Sequence, residues 1–464
     1  MFSASRANRI TQYKFGQPAL NRQFGQLPRE KKAAVDAGIK VTTLSNGARV
    51  VTHDKDGGHA AIGVYVDAGA KYDPLSAPGL SYVTRFALLT SNFENSLFQV
   101  DRTMRATGFA YGHNEIRKRF IGFKAEGRRD LIKGPLHQLF SAISVPRFQE
   151  SDVERFRDTF DNLLQEQRWL QPFDYVADQL ETIAFFKEPL GNPRMVPVFA
   201  NDKCSSSAMM EQYASLFLPS NVTIVGVNVD HTELITAYDA HPYPHSAEAP
   251  HHAKAPRTTV TGKDEAAQYH AGRQFVEYEN RAKEMGTKPD MEDEVVAALG
   301  YLTFGRDDNV KTYAAAAVTQ KVVAAALPQP STGYSAGARA FYRPYSSAGL
   351  LGVSVRAAPG AAPALLREAS TKLPTATVAA ADLAAAKESA LMDLYTNELE
   401  LNRDYADFLG TSKFTAEEIE AAIKNVSVKD VAEVAEKARA SKPVLFATGK
   451  THDFPSLNAL LKLQ

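Results

Sequence analysis

The chain has 464 residues, enough for two domains of ordinary size. Lys plus Arg and Asp plus Glu both number 53, and a neutral chain gives no electrostatic reason to expect nucleic acid or an anionic membrane surface as the main partner. A single cysteine, Cys204, excludes an intrachain disulfide and fits a reducing compartment, while the longest apolar runs, such as Tyr313 to Pro328, carry polar interruptions and fall short of the ~20 residues of a membrane span.

Met1 to Pro28 contains no Asp or Glu, but has Arg6, Arg9, Lys14 and Arg22 among Ser, Ala, Gln and Phe. That is the composition of a mitochondrial transit peptide, and equally of a basic arm that is retained. Residues 1–38 are expected to be one or the other. From Lys40 the pattern reads strand, Asn46-Gly47 turn, strand, and a third strand ending near Gly69. "GLSYVTRFALLT" (Gly79 to Thr90) follows as a helix with Leu80, Val83 and Ala87 on one apolar stripe. Ala106 to Glu126 alternates as a hairpin. Helices are expected from Arg129 to Ser144 and from Ser151 to about Phe186, and Ser220 to Val229 reads as a buried strand.

Asp239 to Thr259 is rich in Pro, Ala and His and lacks periodicity, which marks a linker between halves at 39–238 and 260–464. The second half repeats the order of the first. A strand lies near "GRQFVEYENR", a helix is expected from Pro289 and Asp290 to Gly305, and a hairpin spans Ser331 to Pro359. Helices start at Ala361 and Ala379, and Lys442 to Gly449 closes as a strand. Thr107-Gly108-Phe109 matches Thr332-Gly333-Tyr334 at an offset of 225 residues, and Ile121-Gly122-Phe123 matches Leu351-Gly352-Val353 at 230. Such a period signals a duplicated domain. The fold class is therefore α+β, with each half a mostly antiparallel sheet covered by helices.

Several stretches in order, "LSNGARVV", "VYVDAGAKYDPLSAPGLSYVTRF", "MRATGFAYGHNEIRKRFIGFKAE", "LETIAFFKEPLGNP" and "YASLFLPSNVTIVGVNV", resemble the mitochondrial processing peptidase family of pitrilysin-like zinc peptidases. The resemblance implies two homologous halves related by pseudo-symmetry around a central cavity. It also implies where a zinc site would stand. Active members carry His-x-x-Glu-His on the helix three residues past the glycine, two histidines one turn apart as ligands and the Glu as general base. Those positions here are Tyr82, Arg85 and Phe86. Phe86 has no ligand atom, Arg85 cannot accept a proton, and Tyr82 would have to ionise from a reference pKa of about 10. Glu166 stands near the place of the third ligand and is the candidate acid to pair with Arg85, which otherwise reaches solvent in the central cavity. None of the eleven histidines forms another zinc-helix pattern. His241 and His245 are four apart, but Pro242 and Pro244 break any helix between them. No catalytic residue, metal or cofactor is expected.

The glycine-rich loop that handles presequences in alpha-type peptidase subunits corresponds to "GYLTFGRDDNVKTYAAAAV", where only Gly300 and Gly305 are glycines. Members of the family without a metal site are core subunits of the mitochondrial cytochrome bc1 complex. The resemblance thus implies a structural subunit on the matrix side of the inner membrane, peripheral and without a transmembrane helix. Its implied partners are core protein 1 or a beta-type peptidase subunit, with cytochrome b, cytochrome c1 and the Rieske subunit in a dimeric complex, and no nucleic acid. The alternative it leaves open is a presequence-binding alpha-type subunit of the processing peptidase.

Overall fold

Asn46 and Gly47 make the first turn as their residue types require. Gly47 takes φ +94°, the Asn46 side chain accepts from the Ala48 amide at 3.0 Å, and β1 (Lys40–Thr43) and β2 (Arg49–His53) pair antiparallel across the turn. The structure, a computed structural model, describes residues 38–113, 117–241, 268–277, 293–328, 337–372 and 378–461. The basic segment 1–37, most of the Pro/Ala/His-rich linker and the Thr332-Gly333-Tyr334 anchor lie outside the described residues.

Two sheets carry the architecture. The first adds β3 (His59–Val66), β4 (Ala110–His113), β5 (Ile121–Arg128) and β6 (Val222–Val227), in the order β1-β2-β6-β3-β5-β4. The second has β7 (Arg273–Glu277), β8 (Val295–Thr303), β9 (Gly337–Pro344), β10 (Gly349–Ala357) and β11 (Val444–Gly449), in the order β7-β11-β8-β10-β9. Both are antiparallel except for one parallel pair each, β2 with β6 and β7 with β11. Strand for strand, β2-β6-β3-β5-β4 corresponds to β7-β11-β8-β10-β9. The two glycine anchors fall on the matching strands β5 and β10, where Gly122 opposes Tyr65 and Gly352 opposes Gly300.

The first sheet is followed or interleaved by α1 (Leu80–Leu88), α2 (Leu97–Ala106), α3 (Lys133–Ser144), α4 (Glu150–Leu170), α5 (Pro172–Ala184), α6 (Ser206–Leu216) and α7 (His231–Asp239). The second has α8 (Val310–Ala325), α9 (Ala362–Thr371), α10 (Ala380–Leu394), α11 (Asn402–Thr411), α12 (Ala416–Asn425), α13 (Val428–Ala440) and α14 (Leu457–Leu461), with one π-helical turn at Tyr395–Leu399. The helical stretch expected from Ser151 divides at Gln171, because Pro172 opens a new helix at its first position.

One expectation is overturned. In the stretch from Pro289 to Gly305 expected to be a helix, the described residues Val295–Thr303 are β8, the central strand of the second sheet. "VVAALGYLT" is a continuous apolar run, and periodicity does not distinguish a buried strand from a buried helix over so short a length. The alternation of its neighbours decides the matter. Val295, Ala297, Leu299 and Tyr301 face one core, while Val296 and Ala298 face another.

The halves exchange helices. On the second sheet, α5 from the first half packs Val176, Leu180 and Ala184 against Val296, Ala298, Leu350, Val444 and Phe446. On the first sheet, α11 from the second half brings Tyr405, Ala406, Phe408 and Leu409 to the face that carries Val51, Ala61, Tyr65, Val225 and Val227. Each sheet thus has one face covered by its own helices and one by a helix from the other half.

Candidate functional site

The helix α1 is held at its start by one buried carboxylate. Asp73 accepts hydrogen bonds from the Gly79 amide (3.0 Å), the Ser81 amide (2.8 Å), the Ser81 hydroxyl (3.0 Å) and the Gln212 side-chain amide (2.9 Å). These satisfy orphan donors of the first turn and place a carboxylate at the positive end of the helix. Burial nonetheless outweighs the four donors and pushes the Asp73 carboxyl up to about 7. Gly79 takes φ +85°, and a Cβ there would fall 2.6 Å from the Val196 Cα, so only glycine fits the approach to the helix.

The three positions where the resemblance places zinc chemistry lie together, and rings fill the space around them. Tyr82 is buried. Its ring meets Phe86 at 5.0 Å and Phe160, from α4, at 5.4 Å; Phe86 meets Phe160 at 5.6 Å and His113, at the end of β4, at 4.7 Å. Tilted and edge-to-face arrangements at these spacings are those that aromatic pairs favour. The Arg85 guanidinium is half-buried, 5.7 Å from the Tyr82 ring centre and 5.5 Å from that of Phe86. Burial lowers Arg85 to about 10, with Tyr82 opposing the shift, and raises Tyr82 to about 12. His113 falls to about 3 through burial first and Arg85 second, so at neutral pH its ring is an uncharged member of the stack.

This arrangement has little acid–base or ligating capacity. Phe86 and Phe160 offer no donor atom, Tyr82 stays protonated, and one imidazole, that of His113, does not hold a zinc. Glu166 is exposed. Six residues beyond Phe160, it is turned about 120° around α4 from the ring that faces Tyr82 and Phe86. Phe160 and His113 are the members of this cluster that sequence spacing misses: one comes from a helix and the other from a strand edge, and neither has a motif of its own.

A cavity of about 260 Å³ lies between the halves. Its wall carries Lys71, Arg117, Lys118, Arg119, Arg194, Arg306 and Arg343, against two acids, Asp307 and Glu398. Further acids stand behind the wall. Glu181 is fully buried, takes Arg194 in a two-pronged contact (2.9 and 2.8 Å) and lies 3.0 Å from Lys118. Asp178 lies 3.6 Å from Arg194 and 3.4 Å from Arg343, and Asp67 pairs with Arg119 at 3.0 Å. Burial alone would raise the Glu181 carboxyl, but Arg194 and Lys118 outweigh it and hold the group well below the usual carboxylate range.

Within Gly300 to Val318, the stretch that resembles the presequence-handling loop, residues 304–309 border this cavity and are tied down. The Arg306 and Asp307 amides donate to the Tyr345 and Ser346 carbonyls at 2.7 and 3.0 Å. The Arg306 side chain reaches Glu398 (3.4 Å), Asp307 reaches Arg119 (3.3 Å), and the Lys413 ammonium donates to the Asp307 carbonyl (2.8 Å). A Cβ on Gly305 would fall 2.6 Å from the Ala348 nitrogen. The few glycines read in the sequence thus correspond to a loop with a fixed path.

Comparison with known proteins places these features in context. Residues 49–198 match the family described as Insulinase (Peptidase family M16). The chain is 25% identical over 435 residues to the ubiquinol-cytochrome-c reductase complex core protein 2 of Euglena gracilis, covering 92% of this chain and 89% of the relative. It is 23% identical over 458 residues to mitochondrial-processing peptidase subunit alpha-2 of Dictyostelium discoideum, covering 91% and 94%. Its fold matches a chain of a Candida albicans complex III2 structure with TM-score 0.71 and 16% identity, over 92% of this chain and 99% of that one. The chain is thus similar to core protein 2 along almost its whole length, and its fold is that of a chain of complex III.

Proposed function

We propose that this chain is a non-catalytic structural core subunit of the ubiquinol–cytochrome c reductase (cytochrome bc1) complex, in the position of core protein 2. One observation carries the reading. In a chain similar to a core protein 2 over 92% of its length, the zinc-helix positions Tyr82 and Phe86 form a ring cluster with Phe160. Such a helix contributes packing where an active peptidase has its metal.

The halves at 39–238 and 260–464 act as a scaffold on the matrix side of the mitochondrial inner membrane. The chain pairs with core protein 1 or a beta-type subunit and supports cytochrome b, cytochrome c1 and the Rieske subunit in a dimeric complex. Among the described residues no helix is long and apolar enough to cross a membrane, so attachment goes through protein interfaces.

The alternative, a presequence-binding alpha-type subunit, is supported by the likeness to a processing-peptidase alpha subunit. Two features weigh against it. Presequences are Arg-bearing and poor in acids, and the central cavity has a wall rich in cations. The segment at the matching loop is also pinned at two of its three charged residues, Arg306 and Asp307.

Affinity purification of the native complex distinguishes the readings. Co-purifying cytochrome b and cytochrome c1 with haem absorbance are the expected result. A soluble two-subunit peptidase without haem would overturn the proposal.

A further inference from the structure

We propose that Glu94, His137 and His241 form a zinc-binding site on the surface of the first half, outside the ring cluster on α1. The three come from separate segments: the turn after α1, the helix α3, and the residues just past α7. Each offers one ligand atom, and these atoms all lie within 4.8 Å of one another.

The groups behind the ligands are arranged as those of a metal site are. His241 Nδ1 lies 2.8 Å from the Ala237 carbonyl, an acceptor only, so Nδ1 carries the proton and Nε2 presents its lone pair. That Nε2 faces His137 Nδ1 at 2.6 Å. Glu94 is fixed from two sides. Its Oε2 accepts from the Ser141 hydroxyl at 2.6 Å, and its backbone amide donates to the Asn92 side chain at 2.9 Å. The buried Phe140 ring lies 5.9 Å from that of His241 and backs the pair on one side.

In the metal-free arrangement the two imidazoles share one hydrogen, donated by His137 Nδ1 to His241 Nε2. Two nitrogens bound to one zinc at about 2.1 Å and the tetrahedral angle sit about 3.4 Å apart, so binding opens the pair by less than an ångström. The hydrogen on His137 Nδ1 then moves to Nε2 of the same ring, which leaves the Nδ1 lone pair for the metal. A Glu94 oxygen supplies the third ligand and water the fourth. Imidazole nitrogens with one carboxylate favour zinc among the abundant divalent ions. His245, His251 and His252 follow in the sequence, outside the described residues, and the proposed ligand set does not include them.

The test is calorimetric titration of zinc into the full chain and its variants, with zinc-edge X-ray absorption on the loaded protein. The wild type should bind one saturating zinc with two imidazole and additional oxygen ligands. His137→Ala and His241→Ala should each weaken it at least about tenfold, and Ser141→Ala, which frees Glu94, by about tenfold. The triple variant His245→Ala/His251→Ala/His252→Ala should bind as the wild type does. The proposal is overturned by a wild type without saturable binding, by a His137→Ala variant that binds normally while retaining its thermal midpoint, or by loss of binding in the triple variant.

Discussion

The Tyr65 hydroxyl donates to Asp407, 342 residues further along the chain, at 2.5 Å and out of contact with solvent. The bond crosses from the central strand of the first sheet to α11, the helix lent by the second half. Asp407 is also 2.7 Å from Lys124 on β5, so one carboxylate ties together two strands and a helix. Gly410, one turn after Asp407, leaves room for the Tyr65 ring to lie flat against the helix. The exchange of α5 and α11 makes the pair of halves a single mechanical body, which suits a scaffold.

Tyr65→Phe removes the donor and leaves Asp407 to Lys124. It should cost about 1.5–3 kcal/mol, as for a hydrogen bond to a charged group. Gly410→Ala drives a methyl into the Tyr65 ring and should cost about 3 kcal/mol by overpacking. Denaturant unfolding reads both. The double variant should cost less than the sum of the two, because the phenylalanine ring is no longer fixed by the hydrogen bond.

Glu181, itself out of contact with solvent, neutralises Lys118 and Arg194, and Glu181→Gln leaves Lys118 without this carboxylate and Arg194 with Asp178. The expected loss is about 3–5 kcal/mol. The contribution also has a sign in pH. The folded carboxyl is held below its unfolded value, so the stability it supplies is present above the ordinary range near 4 and is lost as pH falls below it. The stability of the wild type should therefore decline faster than that of Glu181→Gln on acidification below pH 4, as read by urea midpoints.

Much of the strand order was legible because turn residues and alternation punctuate it. Asn46-Gly47 and the hairpin of β9 and β10 fall where the pattern sets them. The strand β8 was not legible, since burial on both faces erases the period that separates strand from helix. Nor was the exchange of α5 and α11, because an amphipathic helix does not encode which sheet it covers. At the site, Tyr82, Arg85 and Phe86 followed from spacing on one helix. The third partner did not. Counting along α4 favours the acid Glu166, while its helical phase puts Phe160 against the cluster. Glu94, His137 and His241 have no spacing at all, being assembled only by the packing of three segments.

Asp73 supplies a second pH dependence of opposite sign. Its carboxyl is raised from 3.8 to about 7 in the folded chain, so between those values the folded state holds a proton that the unfolded state has lost. Stability attributable to this group therefore falls as pH rises from about 4 to about 7 and is level above that range. Asp73→Asn, which resembles the protonated form, removes the dependence. The stability gap between wild type and Asp73→Asn should narrow as pH rises through this window, as measured by thermal midpoints in matched buffers. A gap that stays constant would show that the four donors, and not burial, govern the group.

Restoring the three letters of the zinc helix should not restore the metal. Tyr82→His/Arg85→Glu/Phe86→His returns two imidazoles one turn apart, with a carboxylate between them. The facing helix still presents Phe160, while Glu166 points away and is exposed. The two imidazoles, with Phe160 in place of a carboxylate on the facing helix, leave zinc weakly held. The loss of the Tyr82–Phe86–Phe160 contacts also removes aromatic pairing worth about 0.5–1.5 kcal/mol per pair. The triple variant should thus melt below the wild type and retain no zinc after desalting. It is best made in a His137→Ala background, so that zinc at the surface site does not enter the measurement. Adding Phe160→Glu supplies a carboxylate from the correct face, and zinc retention should appear only then. Stoichiometric zinc in the triple variant, by elemental analysis, would mean that another ligand atom already reaches the site, His113 being the nearest imidazole, and that the ring cluster is not what closes it.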